Sequence, residues 1–310
     1  MSVGNFDGVH EGHRALFRRN RSIADAHGWK SAILTFDPHP TRVVAPERAP
    51  RLLTTIDQRL AAIEHEGIEE AFVLAFDESF AHLSPADFVK RVLADGIGAR
   101  AVLVGENFRF GAKQAGDVQT LRSLGEQFGF EVEVVPSFFV RGRMASSTAV
   151  RESVLRGNVT AACRLLGRPY WIDGRIVSGF GIGSRQTVPT LNLETDAEVL
   201  PGHGVYLTRT HDLDRANRVW PSITNVGIRP TFDGDKLTIE TFLLSGLDGE
   251  TPHRIRLEFL RRVRDERRFE SPEALKNQIL KDVSRAQAYF RRLSRWVGRK
   301  RELLPDRFQV

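Results

Sequence analysis

The chain predicts an α/β domain on a Rossmann-like parallel sheet, followed by an antiparallel β-barrel with a C-terminal helix. Three observations carry this. In the first half, apolar runs of strand length alternate with helical patterns, as in a sheet with crossover helices. From about Trp171, glycine and proline turns separate short alternating segments, as in an antiparallel barrel. At the start, Val3 runs into a glycine-rich turn that opens a helix, a layout suited to phosphate.

Taken in order, the candidate strands of the first half are Ser31–Thr35, Ala71–Ala75, Ala101–Gly105 and Val132–Val135. Helices lie between them, among them Ile56–His65 and Ser84–Leu93. The barrel segments are Gly174–Ser178, Thr190–Leu193, Val205–Thr210, Leu237–Leu244 and Arg254–Phe259, and a helix runs from about Pro272 to Trp296. The boundary falls near Leu166–Pro169, which gives domains 1–167 and 168–310. The first strand of an open doubly wound sheet is central, and strands usually have about five or six residues. Here only Met1, Ser2 and Val3 precede the turn.

With 310 residues the chain can bury two cores. No stretch approaches the roughly 18 apolar residues of a membrane span, and the N-terminus lacks a secretory layout. Cys163 is the single cysteine, which leaves neither an intrachain disulfide nor a thiolate metal cluster. A cytoplasmic protein without a membrane partner is expected. The net charge is +6, with Arg291, Arg292, Arg295, Arg299, Lys300 and Arg301 crowded near Tyr289, Phe290 and Trp296. Such interleaving suits a nucleic-acid backbone, but it arises more often as the solvated face of an amphipathic helix. No nucleic-acid partner is expected.

The richest segment is Gly4-Asn5-Phe6-Asp7-Gly8-Val9-His10-Glu11-Gly12-His13. Residues three apart on a helix share a face, so both imidazoles point the same way. Gly12 between them leaves room for an incoming ligand. Free N–H groups and the positive dipole end attract phosphate, and the segment reads as a nucleotide site. Read blandly, His-x-Gly-His is an ordinary turn-to-helix junction.

Three further loops follow strand ends, where ligands bind in open α/β sheets. Thr35-Phe36-Asp37-Pro38-His39-Pro40 is held by two prolines. In Gly105-Glu106-Asn107-Phe108-Arg109-Phe110-Gly111, aromatics flank an arginine and offer ring faces and a charge. The plain alternative is a loop folded back on the core. Ser146-Ser147-Thr148-Ala149-Val150-Arg151 is a hydroxyl-rich helix start with an arginine one turn in, suited to a phosphate tail.

In the second half, Gly174-Arg175-Ile176-Val177-Ser178-Gly179-Phe180-Gly181-Ile182-Gly183 is a phosphate-wrapping loop or a set of barrel corners. It precedes Pro189-Thr190-Leu191-Asn192. Thr190 and Asn192 face the same side of a strand, and their neutral hard oxygens suit Mg²⁺. Glu240, within Leu237–Phe242, is a lone strand carboxylate.

These motifs resemble the prokaryotic bifunctional riboflavin kinase/FAD synthetase family, a branch of the HxGH nucleotidyltransferases. The first half matches the turn Gly4–His13, the Asp-Pro-His-Pro loop, the Asn-Phe-x-Phe-Gly loop and the Ser-Ser-Thr-x-x-Arg helix start. The second half matches the glycine loop, Pro-Thr-x-Asn, Asn225-Val226-Gly227-Ile228-Arg229-Pro230-Thr231-Phe232 and Glu240. The match continues through Phe259, Arg264, Phe269 and a helix with Leu275, Ile279 and Asp282.

The resemblance implies two ATP-dependent reactions: phosphorylation of riboflavin to FMN, and adenylylation of FMN to FAD with release of pyrophosphate. It implies His10 and His13 as catalytic contacts to the phosphates, framed by Gly4, Asn5, Phe6, Asp7, Gly8 and Gly12. Asp37, His39 and Ser146 border that site, Asn107 and Arg109 line its flavin or adenine side, and Ser147, Thr148 and Arg151 hold the leaving pyrophosphate. In the kinase half it implies Glu240 as base, Gly174, Gly179, Gly181, Gly183, Pro189 and Arg229 around ATP and flavin, and Mg²⁺ on Thr190 and Asn192.

The chain departs from the family in one loop. Many members read Gly-Arg-x-x-Gly-Phe-Pro-Thr, where this chain has Gly183-Ser184-Arg185-Gln186-Thr187-Val188-Pro189-Thr190. A threonine replacing a positive-φ glycine would be strained, so another loop course is implied. Family members also carry residues upstream, which implies an earlier natural start or a stunted first strand. Three rivals stay open: adenylylation alone beside an impaired kinase barrel, a basic nucleic-acid-binding or regulatory protein, and an aminoacyl-tRNA synthetase. The lysine-rich loop of the last is not evident.

Overall fold

The structure, a computed structural model, describes residues 1–177, 190–215, 218–231, 234–245, 247, 250–267 and 269–303. The side chains of 229–231, 234–236 and 296–303 lie outside that description. So do Gly179, Gly181, Gly183, Pro189 and the loop that departs from the family, and the side chain of Arg229. Two compact units result: Met1–Glu152 with Arg164–Gly167, and Ser153–Cys163 with Arg168–Val310.

The first unit holds a five-stranded parallel sheet in the order β3-β2-β1-β4-β5. Its strands are β1 (Ser2–Val3), β2 (Ala32–Asp37), β3 (Glu70–Ala75), β4 (Ala101–Gly105) and β5 (Glu131–Val135). Short as it is, β1 is the central strand and pairs with both β2 and β4. Alternate residues feed two cores. Leu34, Val102 and Val104 pack with Phe88, Leu93 and Leu121, while Ile33 and Leu103 pack with Phe6, Phe17 and Ile63. Burial on both faces explains why these strands read as continuous apolar runs.

The helix Glu11–His27 ends on Gly28 at φ +65°, a left-handed cap. The helix Ile56–His65 forms over the expected residues, opened by a reciprocal Thr55/Gln58 capping box. Ser84–Leu93 is helical as expected, with Ser84 as its N-cap, but changes type midway. A short α-turn, Pro85–Phe88, gives way to a wider π-type turn, Val89–Ala94, where the Asp95 N–H donates to Lys90 O at 2.8 Å. Phe88, Val89 and Leu93 are all buried in one cluster. A hairpin that patterning does not announce joins β6 (Phe139–Val140) to β7 (Arg143–Met144), turned by Arg141 and Gly142 at positive φ.

The second unit is a closed barrel ordered β10-β11-β12-β9-β8-β13. Its strands are β8 (Tyr170–Val177), β9 (Thr190–Glu194), β10 (Gly204–Asp212), β11 (Val219–Thr231), β12 (Gly234–Leu243) and β13 (Arg254–Arg264). Sequence patterning did not find β11 because Pro221, Gly227 and Pro230 punctuate it. The barrel interior combines Leu191, Trp220 and Leu243 with a ladder of buried hydroxyls. It runs Thr210–Ser222–Thr208–Thr224–Thr241, each step 2.7–2.8 Å. Every member has a partner, which removes the penalty of burying it.

Outside the barrel, the helix Pro272–Leu303 lays Ala286 on Val205, Leu207 and Ile223. Its buried Asp282 accepts from Arg264 Nε at 2.7 Å and Gln278 Nε2 at 2.8 Å. Tyr289 packs beside that cluster and Phe290 is buried, whereas Arg291, Arg292 and Arg295 are exposed. Tyr289 therefore serves the barrel contact, and these arginines form a solvated face.

Candidate active sites

The first site is built where the turn after β1 meets the loops after β2 and before Ser147. Gly4 N–H donates to Leu34 O, continuing the sheet into the turn. Phe6, Gly8 and Val9 all take positive φ (49°, 82° and 43°). A β-branched residue there is strained, at about 1–3 kcal/mol. Burial of Phe6 and Val9 in the core holds the conformation. A Cβ on Gly8 would also lie 2.8 Å from Leu53 Cδ1.

Asp7 is the hub of this turn. It is 2 % exposed and accepts from Leu53 N (2.9 Å), Thr54 N (3.1 Å), Thr54 Oγ1 (3.2 Å) and Arg151 Nη2 (3.0 Å). Its own carbonyl accepts from Ser147 Oγ at 2.8 Å. Arg151 also donates through Nε to Arg51 O at 2.6 Å. Ser146 Oγ caps the helix Ser147–Leu155 by accepting from Ala149 N, and Thr148 is exposed.

The histidines differ from the expected pair on one helical face. His10 is the extended N-cap, and its Nδ1 accepts the His13 N–H at 3.4 Å. The two rings stack at 3.6 Å between centroids and 24° between planes, with Phe6 edge-on to His13 at 5.2 Å. Burial lowers the His10 pKa to about 4. Burial, then His10, then Arg59 hold His13 well below its ordinary value. Both imidazoles are neutral at pH 7. Because His10 Nδ1 accepts, its proton is assigned to Nε2; His13 Nδ1 is buried and has no partner among the described residues. The space beside Gly12 is not empty either. A Cβ there would meet Ala145 O at 2.9 Å and the His10 ring at 3.1 Å, so this glycine permits the His10 ring and the Ala145 carbonyl to pack closely.

His39 caps the turn Pro40–Val44, its Nδ1 accepting from Thr41 N at 3.3 Å. Its Nε2 lies 3.1 Å from the Asn5 Nδ2 position; because Nδ1 accepts, Nε2 is assigned the proton and the Asn5 amide the flipped orientation that presents its oxygen. Burial lowers the pKa of His39 as well. Asp37 is exposed at the end of β2, and Asn107 and Arg109 are exposed on their loop, with Arg109 3.6 Å from Asp117. Phe108 and Phe110 stack on each other at 5.5 Å, and Phe110 is buried in the sheet core. That loop does fold back on the core.

Sequence reasoning missed Arg59, which is 1 % exposed. It lies on the face shared by Ile56 and Ile63, and a cation in an apolar stripe is the signal that could have found it.

The second site is a row on the outer face of the barrel. Register sets Glu240 opposite Asn192 on β9 and opposite Asn225 on β11. Neighbouring strands lie about 4.8 Å apart, so three half-buried polar side chains stand side by side. The barrel-facing neighbours Leu191, Leu193 and Thr241 are buried. Thr190 is exposed two residues from Asn192 on the same face. Gly174 lets β8 and β9 approach closely, since a Cβ there would lie 2.2 Å from Glu194 O. Asn225 was read as part of a motif but not as a site residue; its place beside Glu240 depends on the pairing of β11, the strand that patterning did not find.

Comparisons with known proteins agree with this two-site layout. Residues 1–149 match the FAD synthetase family model and residues 166–290 the riboflavin kinase model. A bifunctional riboflavin kinase/FMN adenylyltransferase from Pseudomonas fluorescens is 38 % identical over 288 residues, covering 93 % of this chain and 91 % of that protein. The protein of the same name from Escherichia coli K12 is 32 % identical over 290 residues, covering 94 % and 92 %. A crystal structure described as a macrolide-efflux protein from Streptococcus pneumoniae superposes with a TM-score of 0.83 at 27 % identity, over 92 % of this chain and 93 % of that one. Among the described residues, no helix of this chain is long and apolar enough to cross a membrane. With a stacked histidine pair at the end of a parallel sheet, a polar row on a barrel and relatives matching across both, the chain belongs to the bifunctional riboflavin kinase/FMN adenylyltransferase family.

Proposed function

We propose a division of labour in which the first unit adenylylates FMN and the barrel phosphorylates riboflavin, each with its own ATP. The observation that carries the first assignment is the pair of stacked, neutral imidazoles at the mouth of a helix. As neutral donors, His10 and His13 would hydrogen-bond phosphate oxygens, while the helix N-terminus supplies partial positive charge. An FMN phosphate oxygen attacks the α-phosphorus of ATP, the α–β bridge breaks, and pyrophosphate leaves. Alignment of two anions and stabilisation of the developing charge supply the rate. Ser147, Thr148 and Arg151 border the leaving group, with Asp37, His39, Asn107 and Arg109 around the nucleotide and flavin.

In the barrel, Glu240 would orient or deprotonate the terminal ribityl hydroxyl of riboflavin as the γ-phosphoryl group arrives. Thr190 and Asn192 fit Mg²⁺: both offer neutral hard oxygens beside the Glu240 carboxylate, and a hard cation takes its other ligands from water and phosphate. Once bound, the metal would neutralise phosphate charge. Asn225, opposite Glu240, would orient that carboxylate or the hydroxyl it meets. The reading includes a domain division at residues 167/168 and a cytoplasmic setting, where ATP and reduced thiols are at hand.

Incubation with riboflavin, ATP and Mg²⁺, followed by flavin chromatography, tests both halves. FMN and FAD are expected together. FAD from supplied FMN, with no FMN from riboflavin, would confine activity to the first unit.

A further inference from the structure

We infer that Arg59 is a positioning residue of the adenylyl-transfer site. Its buried guanidinium holds the phosphate-binding turn through Thr35 and supplies fixed positive charge beside the histidine pair. The inference rests on the adenylyltransferase reading above.

The geometry is a relay from helix to turn. Arg59 Nη1 donates to Thr35 Oγ1 at 3.4 Å and to Phe36 O at 3.3 Å. Thr35 Oγ1 in turn donates to the carbonyl of Asn5 at 3.2 Å. Asn5 is the residue whose side chain meets His39. Arg59 thus ties the end of β2 to the glycine-rich turn, and through it to the loop carrying His39.

Stability alone does not account for this arginine. Its two oxygen partners are neutral, and its Nε is buried with no partner among the described residues. Asp7 and Asp37 act on it only through space, and burial is the larger influence, lowering its pKa. It stands in the first turn of Ile56–His65, where the helix dipole opposes a cation. Buried charge of this kind is generally less stabilising than a well-packed apolar side chain. An anionic ligand would supply what the resting protein withholds, because a polyphosphate brings negative charge to a site already carrying a desolvated cation.

The same charge bears on His13. Two charged or titratable groups act on His13, His10 stacked on it from the cap and Arg59 through space from the neighbouring helix, both disfavouring its protonation after burial. Asp7, in the turn, is neutralised by Arg151, and Glu11, on the same helix, by Arg14. Arg59 therefore keeps His13 neutral to lower pH than burial alone would.

The test compares Arg59→Gln, Arg59→Lys and Thr35→Val. Adenylylation of supplied FMN is followed against pH, and riboflavin phosphorylation serves as the internal control. Arg59→Gln should lower FAD formation by about 10²-fold and move the acid limb of the profile to higher pH, with FMN formation unchanged. Arg59→Lys keeps the charge and should keep the acid limb of the wild type. Thr35→Val cuts the relay without touching charge; it should raise KM for ATP and leave the acid limb in place, which keeps the inference testable if Arg59→Gln does not fold. An acid limb that shifts equally in Arg59→Lys, or a Thr35→Val enzyme indistinguishable from wild type, would overturn it. Wild-type protein that forms no FAD would instead overturn the adenylyltransferase reading.

Discussion

The two candidate sites of this enzyme are assembled in opposite ways. In the first unit, Asp7, His10 and Arg59 are withdrawn from water and tied to segments as distant in sequence as Leu53 and Ser147. In the barrel, Asn192, Glu240 and Asn225 stand half-open on three adjacent strands, placed by register alone. A converging-loop site is preorganised and sensitive to burial energetics. A register site tolerates substitution of its polar row, because the fold rests on the residues facing the other way. On the proposed assignment, one site couples chemistry to stability and the other separates them.

The sharpest contrast comes from removing one carboxylate in each half. Glu240→Gln should lower FMN formation by about 10²–10⁴-fold with an unchanged melting temperature and normal adenylylation of supplied FMN. Full FMN production would remove Glu240 from the base role. Asp7→Ala should instead destabilise the first unit by about 3–5 kcal/mol, since it leaves Arg151 and two backbone N–H groups without their acceptor. Chemical denaturation reads that difference; equal stability in the two variants would dissolve the contrast.

Acid sharpens it further. His10 titrates near 4 in the folded state against an ordinary value of 6.5. The unfolded chain therefore binds more protons between those values, so stability is complete above pH 6.5 and falls as the pH drops towards 4. The loss from His10 is about 3 kcal/mol. Urea midpoints measured across that range should fall, and fall less in His10→Asn, whose side chain can still cap the helix. An identical decline in both proteins would contradict the burial argument. The smallest effect belongs to Asn225→Ala, which should slow riboflavin phosphorylation about tenfold, the equivalent of one lost hydrogen bond to a charged group. Unchanged kinase turnover would leave Asn225 as a surface residue.

The same contrast explains what could be read in the sequence. Ala101–Gly105 and Ile56–His65 were legible to the residue, because a doubly buried strand and a capped amphipathic helix declare themselves locally. The row Thr190–Asn192 was legible as a face by period-two alternation. Strand β11 was hidden by Pro221, Gly227 and Pro230, and Asn225 was hidden with it. Arg59 was missed for a different reason. Its meaning lies in Thr35 and Asn5, which are distant in sequence, and helical periodicity alone does not tell a buried arginine from a misplaced surface one. The mutual stacking of His10 and His13 likewise follows from the capping conformation of His10, which spacing of three on a regular helix does not describe.

The most direct test of the two-site account is His13→Ala, incubated with riboflavin, ATP and Mg²⁺ and analysed for both flavins. FMN should accumulate at the wild-type rate while FAD formation falls by at least about 10²-fold. FAD appearing at the wild-type rate, or FMN and FAD lost together in a folded protein, would contradict it.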